Sequence, residues 1–463
     1  MSPAAATGLC VIGIVGLFIL DRDPQPRPAG ALWVPVIWLL IAGSRPVSAW
    51  LQAGPMTDSA SQHNIESDPI NLVLFSLLLA AGSCVLTVRR QRVGILLQEN
   101  WPIILFFSYC ALSVLWSDYP GAASRKLTRS LGDLMMIIIV VTDHEPAAAL
   151  RRLLARTGFV LIPLSILLIK YYPDLGRSYS NSWELMYKGV TDHKNTLGMV
   201  CLVLGLGFWW RLLEDLVSKG EPNRIRHLLA DGAILAMVGW LFWIANSLTS
   251  LSCFLMASVV IAITKLFAWG RKAWVLHVLV VALVSLSLFA LFFDSGGNLV
   301  ESLGRDASLT GRTAIWRQVA GMARNPLIGT GFESFWLGRR LQKMWSDNIG
   351  ATLNEAHNGY LEVYLNLGWC GVMLLVIVII TGYRNSVIRL RRDSHIGSLK
   401  LAYFVAGVIY CFTEAGFRML SPMWIFFLLA TARVPRPSSP NVLHRQKQAA
   451  PRHNCKHEYG GAI

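Results

Sequence analysis

Long apolar runs recur along almost the whole chain, and they limit the possible folds more than any other feature. A helix of about 20 apolar residues crosses the hydrocarbon core of a bilayer, which is about 30 Å thick. Backbone N–H and C=O groups find no water in lipid, so a spanning segment must satisfy them internally, as a helix does. Hydrophobic residues make up 54% of the chain and charged residues only 15%, which argues against a soluble or disordered protein. The sequence therefore predicts an all-α, polytopic helical membrane protein.

Polar residues divide this apolar sequence into ten runs before one long polar stretch and three runs after it. The runs cover residues 5–20, 30–43, 69–87, 101–116, 127–142, 154–170, 195–210, 229–246, 250–267, 274–293, 358–382, 400–413 and 419–432. They predict thirteen membrane-spanning helices, or twelve if one weak early run does not cross. Residues 294–357 then form the one large loop, and apolar residues at helical spacing predict short helices within it.

The basic residues of the connections set the predicted orientation. Under strict alternation of the spans, six connections rich in arginine and lysine lie on one side, among them those that hold Arg89, Arg151 and Arg211. Such connections face the cytoplasm, so we predict that the large loop lies outside it. Orientation also accounts for the net charge of +15, and nucleic acid is not expected as a partner. Residues 1–432 form the predicted membrane domain, and residues 433–463 form a disordered, basic cytoplasmic tail.

The large loop carries the first candidate site residue, Arg312. In the segment GRTAIWRQVAGMARNP, the apolar residues Ile315, Val319 and Met322 recur at helical spacing, and Pro326 ends the pattern. Arg312 then lies in the first turn of a short helix. A cation at a helix start opposes the helix dipole, which is unusual for a purely structural arginine. Arg312 therefore either faces a polar group that enters from the lipid or is a surface arginine that faces headgroups.

His357 ends the large loop at the mouth of a long apolar helix. A histidine with an unperturbed pKa near 6.5 suits proton abstraction at ambient pH, and Glu355 or Glu362 could orient the ring. The alternative is an interfacial histidine without a catalytic role. The preceding segment NPLIGTGFESFW, with Gly329 and Gly331, lacks the spacing of a phosphate-binding loop, and we predict a tight turn.

Other polar residues gather on the same predicted side of the membrane. They are Arg125, Lys126 and Arg129 before the fifth span, His193, Lys194 and Asn195 before the seventh, and Glu414 and Arg418 after the twelfth. Glu414 and Arg418 have the i,i+4 spacing of a local ion pair. Polar residues at such positions are costly unless they line a cavity or a headgroup site. Together they predict an anion site near the outer leaflet.

The residue types do not suggest a metal centre or a bound cofactor. The chain has no HExxH motif, and none of its eight cysteines forms a CxxC pair. Most of the cysteines lie in apolar runs, where cysteine behaves as a small buried hydrophobic residue. A histidine base with arginines that neutralise a phosphate fits the available side chains better.

Five segments carry a resemblance to a known family, and they occur in the family's order from Leu112 to Phe417. They are LSVLWSDYPGAASRKLTRSLG, GVTDHKNTLG, GRTAIWRQVAGMARNPLIGTGFESFW, AHNGYLEVYLNLGWCGV and TEAGF. The family pattern H-N, nine residues, G-x-x-G is met by His357, Asn358, Gly368 and Gly371. The chain thus resembles the O-antigen ligase and polymerase group of bacterial envelope proteins, and more closely its ExoQ-like exopolysaccharide polymerase branch, which is related to Wzy-type polymerases.

The resemblance implies a GT-C-like membrane glycosyltransferase that needs neither metal nor cofactor. Its donor would be a glycan on undecaprenyl pyrophosphate, bound at the periplasmic face of the bacterial inner membrane. The histidine that matches His357 would deprotonate the acceptor hydroxyl, and the arginine that matches Arg312 would hold the leaving pyrophosphate. The residues that we assign to substrate binding are Arg125, Arg129, His193, Lys194, Asn195, Arg317, Asn358 and Glu414.

One departure from the family concerns a second anion contact. Ligases of the group tend to carry an arginine in the short outer turn that corresponds to residues 246–250, where this chain reads NSLTS. That contact would come from Arg125, Arg129 or Lys194, or would be absent. The departure argues mildly for a polymerase.

Four functions are open at this point. A polymerase would join lipid-linked repeat units, and a ligase would move the glycan to lipid A-core or another acceptor by the same chemistry. A transporter would also suit many spans and a basic outer cavity, but the halves of this chain show no internal symmetry. A non-catalytic scaffold is the least specific reading. Expected partners are the lipid-linked donor, the glycan acceptor, the bilayer and a chain-length regulator or export proteins.

Overall fold

The computed structural model describes residues 1–22, 29–51, 69–179, 183–218, 223–293, 308–323, 325–347 and 353–434. These residues are mainly helical, with one antiparallel sheet of β1 (Arg177–Tyr179) and β2 (Leu185–Tyr187). The predicted all-α, polytopic membrane fold is confirmed. The predicted tail lies almost wholly outside the described residues, as do residues 294–307, 324 and 348–352 of the large loop.

The helices are numbered here in chain order. They are α1 (Pro3–Leu20), α2 (Trp33–Ala42), α3 (Val47–Leu51), α4 (Pro69–Val88), α5 (Arg90–Glu99), α6 (Trp101–Ser113), α7 (Pro120–Val141), α8 (Pro146–Tyr171), α9 (Pro173–Gly176), α10 (Lys194–Val217), α11 (Arg224–Ala245), α12 (Leu248–Leu266), α13 (Ala273–Phe293), α14 (Ser308–Gly321), α15 (Gly338–Asp347), α16 (Gly359–Arg392), α17 (Ser394–Tyr410) and α18 (Pro422–Thr431). Short 3-10 turns cover Gly30–Leu32, Val114–Trp116 and Ala268–Arg271.

Among the described residues, seven helices are long and apolar enough to cross a membrane, which is fewer than the twelve or thirteen spans predicted. They are α1, α4, α8, α10, α11, α12 and α16. An eighth would be α5 together with Trp101–Trp116, two pieces that meet at a 90° bend.

Length and charge explain why three of the predicted runs are not counted as spans. The run at 127–142 lies on α7, which also carries Arg125, Lys126, Arg129 and Asp133. The last two predicted runs lie on α17, with 17 residues, and α18, with 10 residues. At about 1.5 Å per residue, α18 rises only about 15 Å, half of a hydrocarbon core.

The short helix α18 lies inside the bundle. Every one of its residues is buried. Its Phe426 ring lies 4.7 Å from the ring of Tyr403 on α17. The helix α1 is the opposite case, because only 11% of its apolar window is buried within the protein. A short buried helix among long helices is possible in a membrane protein because its neighbours, and not lipid, surround its ends.

A turn of the large loop inserts into a break in α16. The break is at Gly368, where φ is 65°. The N–H groups of Trp369 and Cys370 donate to the carbonyls of Pro326 and Leu327, at 2.8 and 3.1 Å. A Cβ at residue 368 would lie 2.3 Å from the Leu327 backbone, so only glycine allows this approach. The predicted tight turn is confirmed, and it ties the large loop to α16.

The described residues of the large loop form two helices and a small apolar core of their own. The helices are α14 and α15. The core joins them to the beginning of α16 and consists of Val319, Phe335, Trp336, Met344, Ala356 and Leu365. The Nε1 of Trp316 on α14 also donates to the carbonyl of Ala356 at 2.8 Å. These contacts fix α14, which carries Arg312, against the segment that carries His357.

Candidate active site

Asn358 holds the segment that contains His357. Asn358 is the N-cap of α16, and its Oδ1 accepts from the N–H groups of Tyr360 and Leu361, each at 3.0 Å. Its Nδ2 donates to the carbonyl of Phe412 at 3.1 Å. A cap of this kind satisfies amide groups that the helix leaves unpaired. Asn358 therefore positions His357 within the protein, and its predicted contact with substrate stays a prediction.

The imidazole of His357 faces two carboxylates. Its Nδ1 lies 2.9 Å from Oε1 of Glu355 and 3.3 Å from Oε2 of Glu414. Ionised carboxylates only accept hydrogen bonds, so Nδ1 carries a proton. In the neutral ring, the unprotonated nitrogen is therefore Nε2. The φ of His357 is 49°, a left-handed conformation that is uncommon for residues other than glycine and that costs about 1–3 kcal/mol.

The two carboxylates change the protonation of the ring. Burial alone would lower the pKa of His357, but the hydrogen bonds and charges of Glu355 and Glu414 raise that pKa to about 10. Burial would also raise the pKa of Glu355, but the hydrogen bond and charge of His357 and the charge of Arg418 lower it to about 2. At neutral pH the ring is thus an imidazolium between two carboxylates.

Glu414 connects this histidine to Arg312. The Nη2 of Arg312 lies 3.1 Å from Oε1 of Glu414, and Arg312 also donates to the carbonyl of Thr413. The Nδ2 of Asn195 donates to the same Oε1 of Glu414 at 3.3 Å. Three predicted site residues from separate parts of the chain, His357, Arg312 and Asn195, therefore meet at a fourth, Glu414.

The predicted ion pair between Glu414 and Arg418 is wrong. Helix α17 ends at Tyr410, and the chain from there to Pro422 forms turns, so the i,i+4 spacing does not bring these side chains together. Arg418 instead places Nη1 2.9 Å from Oε2 of Glu355 and Nε 3.8 Å from Oε2 of Glu333. The local-pair prediction assumed a helix that this segment does not form.

His193 lies next to this cluster at the beginning of α10. It is the N-cap of α10, and its Nδ1 accepts from the N–H of Asn195 at 3.2 Å. Burial lowers the pKa of His193, although the negative charges of Asp192, Glu355 and Glu414 act in the opposite direction. His193 therefore favours the neutral form, in contrast to His357.

Four other predicted substrate-binding residues are Arg125, Arg129, Lys194 and Arg317. Arg125 and Arg317 are exposed and Lys194 is half-buried. Arg129 is buried, with its guanidinium 5.3 Å from the Phe75 ring. Within the part of the chain that the structure describes, no hydrogen bond or ion pair joins Arg125, Lys194 or Arg317 to His357, Arg312 or Glu414. Their substrate contacts stay predictions.

The sequence did not reveal the role of a second set of residues. Glu333, read only as part of a turn, accepts from Lys126 Nζ at its carbonyl, at 3.1 Å. Glu362, considered as a partner of the ring, instead accepts from Ala356 N at 2.5 Å and from Trp336 Nε1 at 2.9 Å. In the sequence, the one indication of a role for Glu333 is that it is the single acidic residue of the segment NPLIGTGFESFW.

Three of the cluster's groups have a geometry that could surround a cation. The ligand atoms of Glu355, His357 and Glu414 lie within 4.8 Å of one another. Each carboxylate, however, already pairs with a guanidinium, Glu355 with Arg418 and Glu414 with Arg312. These two fixed cations oppose a divalent ion, so the arrangement suits a shared proton and a neighbouring anion better.

Three helices begin around Glu414. Asn195 lies in the first turn of α10, and His357 and Asn358 precede α16. Thr249, in the first turn of α12, places its hydroxyl 3.3 Å from that of Thr413. Helix N-termini carry partial positive charge and favour anions. Together with Arg312, they make this a region that can hold a negatively charged substrate group.

Comparisons with known proteins show similarity to one family model and to two relatives. A family model described as O-antigen ligase matches residues 232–376, which include Arg312 and His357. The exopolysaccharide production protein ExoQ of Rhizobium meliloti (strain 1021) is 24% identical over 363 residues, 75% of this chain and 79% of the relative. Ammonium transporter 1 of Dictyostelium discoideum is 22% identical over 228 residues, 48% of each chain. The first two matches confirm the resemblance to the O-antigen ligases and the ExoQ-like proteins that the sequence motifs predicted.

Proposed function

We propose that this protein is a glycosyltransferase that polymerises repeat units carried by undecaprenyl pyrophosphate, at the periplasmic face of the bacterial inner membrane. Its relatives support a membrane enzyme of polysaccharide processing. The observation that carries the proposal is the meeting of His357, Arg312 and Asn195 at Glu414. It brings an imidazole and a guanidinium to one carboxylate, and the proposal gives these two groups the roles of proton acceptor and fixed cation in transfer from a lipid pyrophosphate.

The transfer uses the side chains as follows. Nε2 of neutral His357 takes the proton of an acceptor sugar hydroxyl, and the hydroxyl oxygen attacks the anomeric carbon of the donor. The bond from that carbon to the pyrophosphate oxygen breaks, and undecaprenyl pyrophosphate leaves with the electron pair. Attack from the opposite side inverts the anomeric centre. Arg312 stabilises the negative charge that grows on the leaving group, so the reaction needs no metal.

The protonation of His357 gives this mechanism a specific pH dependence. A general base acts only in its deprotonated form, and the pKa of the ring is raised to about 10. The rate should therefore rise with pH from neutrality toward about 10, by about tenfold per unit while the neutral ring is the minor form. The two carboxylates also make the neutral ring a stronger base when it forms.

A ligase is the second candidate, because the matching family model carries the description O-antigen ligase. A ligase would use the same groups and would differ in its acceptor. The two functions are separated by the product. A polymerase lengthens lipid-linked glycan when repeat units are the sole substrate, whereas a ligase needs a separate acceptor such as lipid A-core.

The proposal is tested with purified protein in nanodiscs that is given undecaprenyl-pyrophosphate-linked repeat units. We expect longer lipid-linked glycans and released undecaprenyl pyrophosphate, measured by gel electrophoresis and mass spectrometry. His357→Ala should abolish chain growth, and the exposed His144 gives a control variant, His144→Ala. Retained chain growth in His357→Ala would overturn the mechanism. Growth that appears only with lipid A-core would replace the polymerase with the ligase, and passage of substrate without bond formation would favour a transporter.

A further inference from the structure

The two carboxylates that face His357 have different second partners. Oε1 of Glu414 binds Arg312 and Asn195, which belong to the proposed anion region. Oε2 of Glu355 is bound instead by Arg418, at 2.9 Å. Glu355 is also closer to Nδ1 of His357 than Glu414 is, at 2.9 Å against 3.3 Å. The two carboxylates are therefore not equivalent.

We propose that Glu355, held by Arg418, is the positioning residue of His357 and sets its charge, whereas Glu414 serves the anion side of the site. The inference rests on the proposed function and deepens it. Arg418 binds one carboxylate oxygen and His357 the other, so the carboxylate bridges a fixed guanidinium and the ring. Such a bridge fixes the tautomer with a proton on Nδ1 and leaves Nε2 for the acceptor hydroxyl.

Arg418 is itself attached to a rigid part of the fold. Its Nε lies 3.8 Å from Glu333, and the Glu333 carbonyl accepts from Lys126 on α7. Glu333 belongs to the loop segment that follows the turn in the α16 break, and the next residues are locked as well. The N–H of Phe335 donates to Oδ1 of Asn366 at 3.0 Å. A guanidinium supported in this way holds Glu355 in one position.

Charged groups from four parts of the chain surround the ring. Glu355 is on the same segment as His357, and Glu414 and Arg418 come from the connection between α17 and α18. Asp192 and His193 precede α10, and Arg312 is on α14. Of these, the two carboxylates make hydrogen bonds to the ring. The charge of the ring should therefore respond to each carboxylate, and more strongly to the nearer one.

The substitution Glu355→Gln separates charge from position. A glutamine oxygen still accepts the Nδ1 proton but carries no negative charge, so the imidazolium loses a stabilising partner. Glu355→Ala removes both the charge and the hydrogen bond. We therefore expect Glu355→Gln to move the pH dependence of the ring, and Glu355→Ala to lower kcat further than Glu355→Gln does.

The first experiment needs no glycan. Diethyl pyrocarbonate acylates neutral imidazole, and mass spectrometry of the His357 peptide measures the rate between pH 5 and 10. In the wild-type protein the midpoint should lie well above the value near 6.5 of an unperturbed histidine. Glu355→Gln should lower the His357 midpoint by at least about one unit, which is about tenfold faster acylation at pH 7. The proposal would be overturned if Glu355→Gln left the His357 midpoint unchanged, or if the acylation rate of His357 were the same in the variant and the wild-type protein at every pH.

The second experiment tests Arg418 by kinetics. Arg418→Met should lower kcat with little change in the KM for the lipid-linked donor, and Arg418→Lys should recover part of kcat because it keeps the charge. An equal loss in both variants with a changed donor KM would place Arg418 in donor binding and contradict the positioning role.

The two proposals fail in distinguishable ways. If the acylation midpoint shifts as expected but no glycan transfer occurs, the pairing of Glu355 with His357 stands and the proposed reaction is wrong. If transfer occurs and depends on His357, but Glu355→Gln leaves the acylation midpoint of His357 unchanged, the proposed reaction stands and the positioning role of Glu355 is wrong. Should Glu355→Gln fold poorly, Glu355→Asp keeps the charge and should retain the high midpoint with a reduced kcat.

Discussion

The two ends of α10 carry two ionic networks of different character. At its N-terminal end, Asn195 joins the cluster of His357, Glu414 and Arg312, whose side chains are between 6% and 23% exposed. At its C-terminal end, Arg211 is fully buried and pairs with Asp231, at 2.9 Å, and with Asp21. Asn195 and Arg211 are 16 residues apart along the helix, which is about 24 Å. The first network leaves a reactive nitrogen available, and the second encloses its cation completely.

The difference shows how a buried charge can serve stability or chemistry. Arg211 also donates to the carbonyl of Arg151, and Arg151 in turn pairs with Asp215 at 2.6 Å. This network joins α1, α8, α10 and α11 and surrounds its central guanidinium with acceptors. The His357 cluster instead holds a histidine in a left-handed conformation, and the side chains of His357 and Arg312 are partly exposed. We assign a structural role to the first network and a functional role to the second.

The largest expected effect is the loss of stability in Arg211→Met. The change leaves Asp231 buried without its cation, and breaking a buried pair costs about 3–5 kcal/mol of unfolding free energy. Thermal unfolding of the purified protein, followed by fluorescence-detected size exclusion, measures the effect. Arg90→Met, at an exposed arginine on the same predicted side, is the control. Equal unfolding temperatures in Arg211→Met and in the control would contradict the structural role of Arg211.

The second effect falls on activity and not on stability. Arg312→Ala removes the cation of the anion region, and the loss of one such group lowers kcat by roughly 10²-fold or more. Its ion pair is partly exposed, so the unfolding free energy should change by at most about 1 kcal/mol. The matched control is Arg339→Ala, at an exposed arginine of α15. A similar loss of activity in both variants would show that general surface charge, and not Arg312, is responsible.

The sequence predicted the members of the functional network better than their partners. Motif spacing identified His357 and Arg312, and clustering in the outer connections identified Asn195 and Glu414. Arg418 was paired with the wrong acid, because helical spacing was assumed where the chain makes turns. The bond from Arg418 to Glu355 joins residues 63 positions apart, and nothing in local periodicity encodes such a pair.

The fold shows the same division between local and tertiary information. Apolar length predicted helices correctly, but it did not reveal that α18 is too short to span and lies inside the bundle. The glycine pattern was recognised as a family motif, whereas its physical reason is the loop turn that enters the break at Gly368. Both features depend on packing between distant segments. The orientation of the protein in the membrane stays a prediction.

A smaller effect is expected from Gly368→Ala. The residue has a positive φ and its new Cβ would meet the Leu327 backbone, so we expect a cost of about 1–3 kcal/mol in unfolding free energy. Because the displaced turn leads to Glu333 and Arg418, activity should fall as well. Gly239→Ala, in α11, is the control, since its Cβ would meet no heavy atom within 4 Å. Equal unfolding temperatures in the two variants would contradict the role of the turn.

The smallest effect, and the one that best resolves the functional network, is a shift of the pH profile in Glu414→Gln. The folded-state pKa of His357 is raised to about 10, above its unfolded value near 6.5. The stabilising contribution of the charged ring is therefore fully present below about pH 6.5 and is lost as the pH rises through about 10.

Glu414→Gln removes one of the two carboxylates that raise this pKa, so the rising limb of activity should move to lower pH by about one unit. It also frees Arg312 from its ion pair, and the KM for the lipid-linked donor should fall. Glu355→Gln should give the pH shift without the change in KM. If both variants changed KM alike, the carboxylates would share one role, and the separation between the anion side and the histidine side of the site would be lost.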